Sequence, residues 1–457
     1  MRLKNINLEN FKCFNNRQNI DLERITLLTG ANSSGKSSIL YSVLGPLQSV
    51  EFPLQFSTNG KYVNMGDFRE ISFNHNVGNE ITLGFTFYEK NVHTTISTCW
   101  TKSIQNKLPE LKNLEAKTEF YKIKISKKKN YNFSLVYDPL KEPTNMQVPI
   151  FRTIVETINK ANKKYSKSHK QSETNKEKIK KLQLEYVDYG KPLNIRNKQF
   201  KDLEKLKLSL ILPTNLKIFE TFNSVINLFT TFDKKSNFIS SFRLHPDRTY
   251  LEKSKFGVKV KKFGEGYLDQ IIIWQTEKSE KYNQLVQIMK KLSLFQNISV
   301  NRFKGGRFEM LVKTKKNGAS TSLSDVGFGI SQFLPIIVAD LQLPEDSTLL
   351  IAQPEIHLHP SVQSSFGEYL VNQLKNSKKN YIIETHSEYL LNRIRLAITK
   401  NELDEKDLSI YHIESKTRDR VLHKIRFNKK GQILNAPLDF FKTYMMDVIG
   451  IALNAVK

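Results

Sequence analysis

Eight consecutive residues carry the strongest chemical signal in the chain: Gly30-Ala31-Asn32-Ser33-Ser34-Gly35-Lys36-Ser37, which fits G-x-x-x-x-G-K-[ST]. The two glycines let the backbone curl, so that the N–H groups of Asn32, Ser33, Ser34 and Gly35 can face a phosphate. A helix starting at about Ser38 adds the partial positive charge of its N-terminus. Lys36 then reaches the β- and γ-phosphates of a nucleotide, and the Ser37 hydroxyl ligates Mg²⁺. ATP with Mg²⁺ is the ligand this pattern predicts.

Such a loop needs an acid at the end of a neighbouring strand to hold the metal, and a group that orients water if the nucleotide is hydrolysed. The candidate strand is Thr348-Leu349-Leu350-Ile351-Ala352, followed by Gln353-Pro354-Glu355-Ile356-His357-Leu358-His359-Pro360. Ala352 stands where the acid is expected. Gln353, next in line, cannot act as a base, although its amide can orient water. A second apolar strand, Tyr381-Ile382-Ile383, ends in Glu384-Thr385-His386-Ser387, and His386 is placed like a γ-phosphate sensor. Glu384 is expected to supply the missing charge from an adjacent strand, with Glu355 as the other carboxylate within reach. A site that binds ATP without hydrolysing it is the competing account.

The flanking elements suit these roles. Ile25–Thr29 is a short apolar strand entering the loop, and Ile39, Leu40, Val43, Leu44 and Leu47 share one face of the helix leaving it, with Pro46 disturbing its last turn. Leu3, Ile6 and Leu8 alternate with polar residues as in a strand, and alternating segments between about 80 and 140 predict an antiparallel meander. From 151 to about 235 the chain is Lys-rich, and Gly190 is its only glycine. Residues 151–161 and 179–186 have helical spacing, but no heptad seam runs through the region. This predicts a basic helical arm over 151–239 inserted into a head made of 1–150 and 240–457.

NLENFKCF before the loop, PEIHLHP after the late strand and ETHSEYL beyond it resemble the ABC-type ATPase heads of the SMC and RecF class. Within that class the likeness is to the overcoming-lysogenisation-defect-like ATPases of bacterial anti-phage defence operons. It covers residues 1–90 and about 240–430. The resemblance implies an α/β fold, an ABC-type P-loop head with a mixed central sheet and an antiparallel meander. It also implies a homodimer or higher homo-oligomer, in which a signature loop of one head completes the other's ATP site. The matching segment is Ser324-Asp325-Val326-Gly327-Phe328-Gly329-Ile330-Ser331-Gln332, where Gly329 and Ser331 are the candidate contacts. Only 71 residues follow His386, too few for a nuclease domain. An effector in trans, a nuclease or a toxin, is therefore expected. A RecF-like DNA-repair ATPase and an ATP-stabilised scaffold are the alternatives.

Charge and composition narrow the remaining classes. Lys plus Arg number 71 against 45 acids, a net +26, and residues 101–210 hold 26 basic and 12 acidic residues, or +14 of it. A polyanion is the natural partner of such a surplus, and nucleic acid bound through the phosphate backbone by the basic arm is its sharper form. Codon bias toward lysine is the plain alternative. Lys127 to Lys129 and the lysines at 160, 163, 164, 167 and 170 are the candidates. Arg243 and Arg248 are open equally to a purely structural role and to a contact with nucleotide or DNA. His357, His359 and His386 lack zinc-site spacing and are expected to pack around the sensing loop. Two cysteines exclude a disulfide framework and favour a cytoplasmic setting. No apolar run approaches the roughly 18 residues of a membrane span, so no membrane partner is expected.

Overall fold

The computed structural model describes residues 1–138, 141, 193–200, 205–206, 216–252, 259–415, 419–437 and 440. Two large sheets organise these residues. The first has eight strands in the order β2-β1-β4-β5-β6-β7-β8-β9. Their ranges are β1 (Arg2–Glu9), β2 (Gln18–Asp21), β4 (Ile81–Glu89), β5 (Val92–Lys102), β6 (Pro109–Lys117), β7 (Tyr121–Lys127), β8 (Tyr131–Tyr137) and β9 (Leu193–Phe200). Every pairing is antiparallel. Along β7 Tyr121, Ile123 and Ile125 are buried while Lys124 is exposed, the period-two pattern of a sheet with one covered face.

The second sheet has the order β10-β15-β16-β3-β17-β18-β19. β10 (Ser236–Ile239), β15 (Thr348–Ala352), β16 (Asn380–Glu384), β3 (Ile25–Gly30) and β17 (Leu408–Glu414) run parallel. β18 (Val421–Phe427) and β19 (Ile433–Leu434) add an antiparallel edge. All residues of β10, β15 and β16 are buried. Helices cover both faces, which is why the middles of β15 and β16 are apolar without alternation. The α/β fold with a mixed central sheet and an antiparallel meander is thus as expected.

Helix α1 (Lys36–Gln48) follows β3 directly and keeps Pro46 within its last turn. Its buried Ile39, Leu40, Val43, Leu44 and Leu47 join one core with Leu28, Leu350, Ile382 and the antiparallel sheet. Alternate residues of the same strands, Leu27, Leu349, Ile351 and Ile383, point into a second core. That core is closed by α4 (Tyr267–Thr276), α5 (Glu280–Lys291), α6 (Phe328–Gln342), α7 (Pro360–Asn376) and α8 (Glu388–Thr399). A small sheet of β11 (Tyr250–Leu251), β12 (Asn297–Phe303), β13 (Arg307–Lys313) and β14 (Thr321–Ser322) flanks it. α5 stops at Lys291, short of the apolar Leu292–Phe295, because Ser293 turns left-handed at a φ of 57°. The helix α2 (Phe68–Ile71) is short and is capped by Asp67, which accepts from the Arg69 and Glu70 N–H groups.

Of the segment 151–239 expected as an inserted arm, residues 151–192 lie outside the described residues, as does the apolar stretch 441–457. Residues 201–204 and 207–215 lie outside them too, and the described elements of this segment pack on the head. β9 pairs with β8, β10 pairs with β15, and α3 (Leu216–Lys234) buries Phe222, Val225, Phe229 and Phe232 in the first core. Sequence composition hid this, because the apolar face of α3 sits in a Lys-rich neighbourhood. The meander lysines are also less free than their number suggested. Lys122 and Lys124 pair with Glu115, and Lys127 pairs with Glu110. Among the described residues, no helix is long and apolar enough to cross a membrane.

The Phe229 ring lies 4.5 Å from Phe52, 5.1 Å from Phe85 and 5.2 Å from Phe87. Phe229→Ala should therefore destabilise the head by about 3–5 kcal/mol, read by urea denaturation. An unchanged midpoint would place residues 216–234 outside the head.

Candidate nucleotide-binding site

The loop between β3 and α1 has the shape its glycines allow. Gly30 and Gly35 have φ of 136° and 112°, and a Cβ on Gly35 would stand 2.4 Å from Cys13 Sγ. One on Gly30 would stand 2.5 Å from the Ile413 carbonyl oxygen. The Lys36 ammonium lies inside the curl, donating to the carbonyls of Gly30 at 3.1 Å and Ala31 at 2.8 Å. Burial lowers its pKa, against the opposing fields of Glu384 and Glu355. At the start of α1 the Ser38 N–H donates to the Gly35 carbonyl at 3.0 Å, and the N–H groups before it are those a helix start leaves for an anion. Asn32 and Ser33 are exposed on the cavity rim; Ser34 is fully buried, and its Oγ has no partner among the described residues.

Strand order brings the acid to the loop. β16 lies between β15 and β3, with Ala352 level with Glu384 and Glu384 level with Leu28. The Ser37 hydroxyl donates to the Glu384 carboxylate at 2.8 Å and 3.1 Å. Burial pushes the Glu384 pKa up; the Ser37 hydroxyl and the Lys36 charge pull it back, and Glu355 adds to the rise. The Ser37 and Glu384 oxygens are the donor set Mg²⁺ takes when it is held by one carboxylate, one hydroxyl and nucleotide phosphates. Among the described residues no cluster of three or more His, Cys, Asp or Glu forms a dedicated metal cage.

A cavity of about 640 Å³ opens over the loop. Ser37, Ser38, Glu384 and Gln353 line it, so the expected water-orienting amide and the expected acid share one space. Gln353 has a φ of 47°, and its N–H donates to the Glu384 carbonyl at 2.7 Å. Glu355 is set behind them. Its carboxylate accepts from the Thr385 hydroxyl at 2.8 Å and the His386 N–H at 2.6 Å, and burial raises its pKa. His386 stands at the surface after β16, and partial desolvation of its ring, with the Lys36 charge, lowers its pKa.

The signature candidates behave differently. Ser331 is buried and its hydroxyl donates to the Phe328 carbonyl at 3.0 Å, so it faces inward and not toward a second subunit. Gly329 is needed for packing, since a Cβ there would meet the His357 carbonyl oxygen at 2.7 Å. His357 sets its ring edge-on to Phe328, and His359 caps α7 by accepting from the Ser361 N–H. Arg248 is bound to Asp325 at 2.8 Å and 3.0 Å.

Sequence reasoning assigned no role to the opposite cavity wall. The buried Phe11 and Phe14 bracket Lys12 and Cys13 and hold them on the rim, where Cys13 Sγ lies 3.7 Å from Ser38 Oγ. The signal was present as F-K-C-F, a turn pinned by two aromatic anchors. Asn74 and His75, both left-handed, face them from the loop after α2.

A strand–loop–helix phosphate cradle with a carboxylate on the loop serine defines a P-loop nucleoside triphosphatase. The chain belongs to the AAA ATPase domain family, whose profile matches residues 1–391. No curated protein matches the sequence. Among solved structures, the SMC head domain from Thermotoga maritima is 11% identical, with a TM-score of 0.39 over 92% of this chain and 98% of that one. An Smc head domain with an extended coiled coil, bound to the C-terminal domain of ScpA and derived from Pyrococcus furiosus, is also 11% identical. Its TM-score is 0.40 over 100% of this chain and 99% of that one. These loose likenesses carry no weight for function.

Gly35→Ala forces a Cβ into both a left-handed backbone and the Cys13 sulfur. ATP affinity measured by calorimetry should fall by at least about tenfold. Unchanged affinity would show that the cradle is not formed by this loop.

Proposed function

We propose that this protein binds Mg·ATP at Gly30–Ser38 and hydrolyses it, acting as an SMC/RecF-like switch whose heads pair around nucleotide. The observation that carries hydrolysis is the 2.8 Å contact between Ser37 and Glu384, which puts a carboxylate on the loop although Ala352 has none. Mg²⁺ held there would offset charge developing on the phosphate oxygens. The chain does the rest by positioning. Lys36 and the loop N–H groups hold the phosphates, Gln353 orients water from the cavity wall, and Glu355 ties the Gln353 turn to the His386 turn.

Pairing of heads is supported by apolar side chains left exposed beside the start of α6: Phe242, Leu244 and Phe328. The surplus of +14 over residues 101–210 supports a polyanion as a further partner, with nucleic acid the favoured one. The sequence resemblance supplies the anti-phage context and a separate nuclease or toxin as the controlled effector, and the low cysteine count favours a cytoplasmic setting. A RecF-like repair role shares the head and differs in its target. The scaffold reading, with ATP as a staple, is favoured by Ala352 and Gln353 standing where acids are expected.

ATP turnover by the purified protein, with and without DNA, separates these readings. Turnover should exceed that of Lys36→Ala, and DNA should raise it. Equal rates for the two proteins would leave ATP as a staple.

A further inference from the structure

Arg243 is 3% exposed, among the most buried charges in the described residues. One of its nitrogens, Nη2, donates to the Gln353 carbonyl at 3.2 Å, while Nε and Nη1 have no partner among the described residues. A buried guanidinium with unmet donors is destabilising in itself, so packing alone does not account for it. The residue it holds is Gln353, whose left-handed backbone also needs outside support.

Arg243 is itself firmly placed. It follows β10, which lies beside β15 at the sheet edge. Leu244 next to it is fixed on both sides: its N–H donates to the Phe263 carbonyl at 2.9 Å, and its carbonyl accepts from Gln332 at 3.3 Å. The His245 ring lies 5.0 Å from Phe328, and Arg248 is paired with Asp325. The segment is thus bound to the start of α6 while Arg243 reaches back to the Gln353 turn. Glu355, two residues along that turn, is the acid whose field the guanidinium feels.

We propose that Arg243 is a positioning residue for phosphoryl transfer: its bond to the Gln353 carbonyl keeps the Gln353 amide on the cavity wall, and its charge offsets the buried Glu355. The proposal rests on the hydrolysis reading and assigns Arg243 no contact with nucleotide. Its effect should therefore appear in the transition state and not in ground-state binding.

Arg243→Lys and Arg243→Gln test this through affinities for Mg·ADP and for Mg·ADP with aluminium fluoride, alongside kcat and KM. Affinity for the aluminium fluoride complex and kcat should both fall by at least about tenfold, with ADP affinity and KM within about twofold. Arg243→Lys keeps the charge and a similar volume, and decides the matter if Arg243→Gln does not fold. Aluminium fluoride binding within about twofold of the unmodified protein, or a parallel loss of ADP affinity, overturns the proposal. If the unmodified protein turns over ATP while the variants are unaffected, only this proposal fails. If it neither turns over ATP nor prefers the aluminium fluoride complex to ADP, the hydrolysis reading fails and this proposal with it.

Discussion

The hydrogen bond from the Ser37 hydroxyl to the Glu384 carboxylate is the contact on which the site depends. It exists because β16 is inserted between β15 and β3, so that the last residue of β16 lies next to the loop. A carboxylate is costly to bury unless it is paired. Here the Ser37 hydroxyl and the nearby Lys36 charge answer it, and burial still leaves its pKa raised. Mg²⁺ would complete the same set of charges. The flanking helices and both cores serve to hold the end of β16 within a hydrogen bond of the start of α1.

Local chemistry was legible in the sequence, whereas long-range pairing was only partly so. Gly30 to Ser37 declared the cradle because eight adjacent residues contain all of it. The apolar runs at 349–352 and 381–383 marked buried strands, and alternation over 80–140 marked the meander. That the strand ending at Glu384 lies beside the one ending at Ala352 could be expected, but the register itself is set by 27 residues of intervening chain that carry no such label. Ser331 shows the limit plainly. One helical turn past the glycines it could point outward or inward, and in the folded head it is buried and bonded to the Phe328 carbonyl.

Backbone conformation was the least legible layer. Gln353 and His357 are left-handed without being glycine, and nothing in PEIHLHP announces it. Such strain persists where surrounding bonds over-determine it. The surrounding bonds here come from Arg243 and from Glu384 with the adjoining Thr385–His386 turn, two segments far apart in the chain. The net charge of +26 is likewise sharper now than as a sum. In the meander Glu110 and Glu115 answer several lysines, and the nucleotide site uses Lys36 for a single small anion.

The central claim is that Glu384 does from β16 what an acid at Ala352 would do from β15. The most direct measurement is the Mg²⁺ dependence of ATP affinity, titrated for the unmodified protein, Glu384→Gln, and Glu384→Gln combined with Ala352→Asp. The account predicts that Mg²⁺ strengthens binding to the unmodified protein, that Glu384→Gln removes this gain, and that Ala352→Asp restores part of it. Full Mg²⁺ dependence in Glu384→Gln would contradict it.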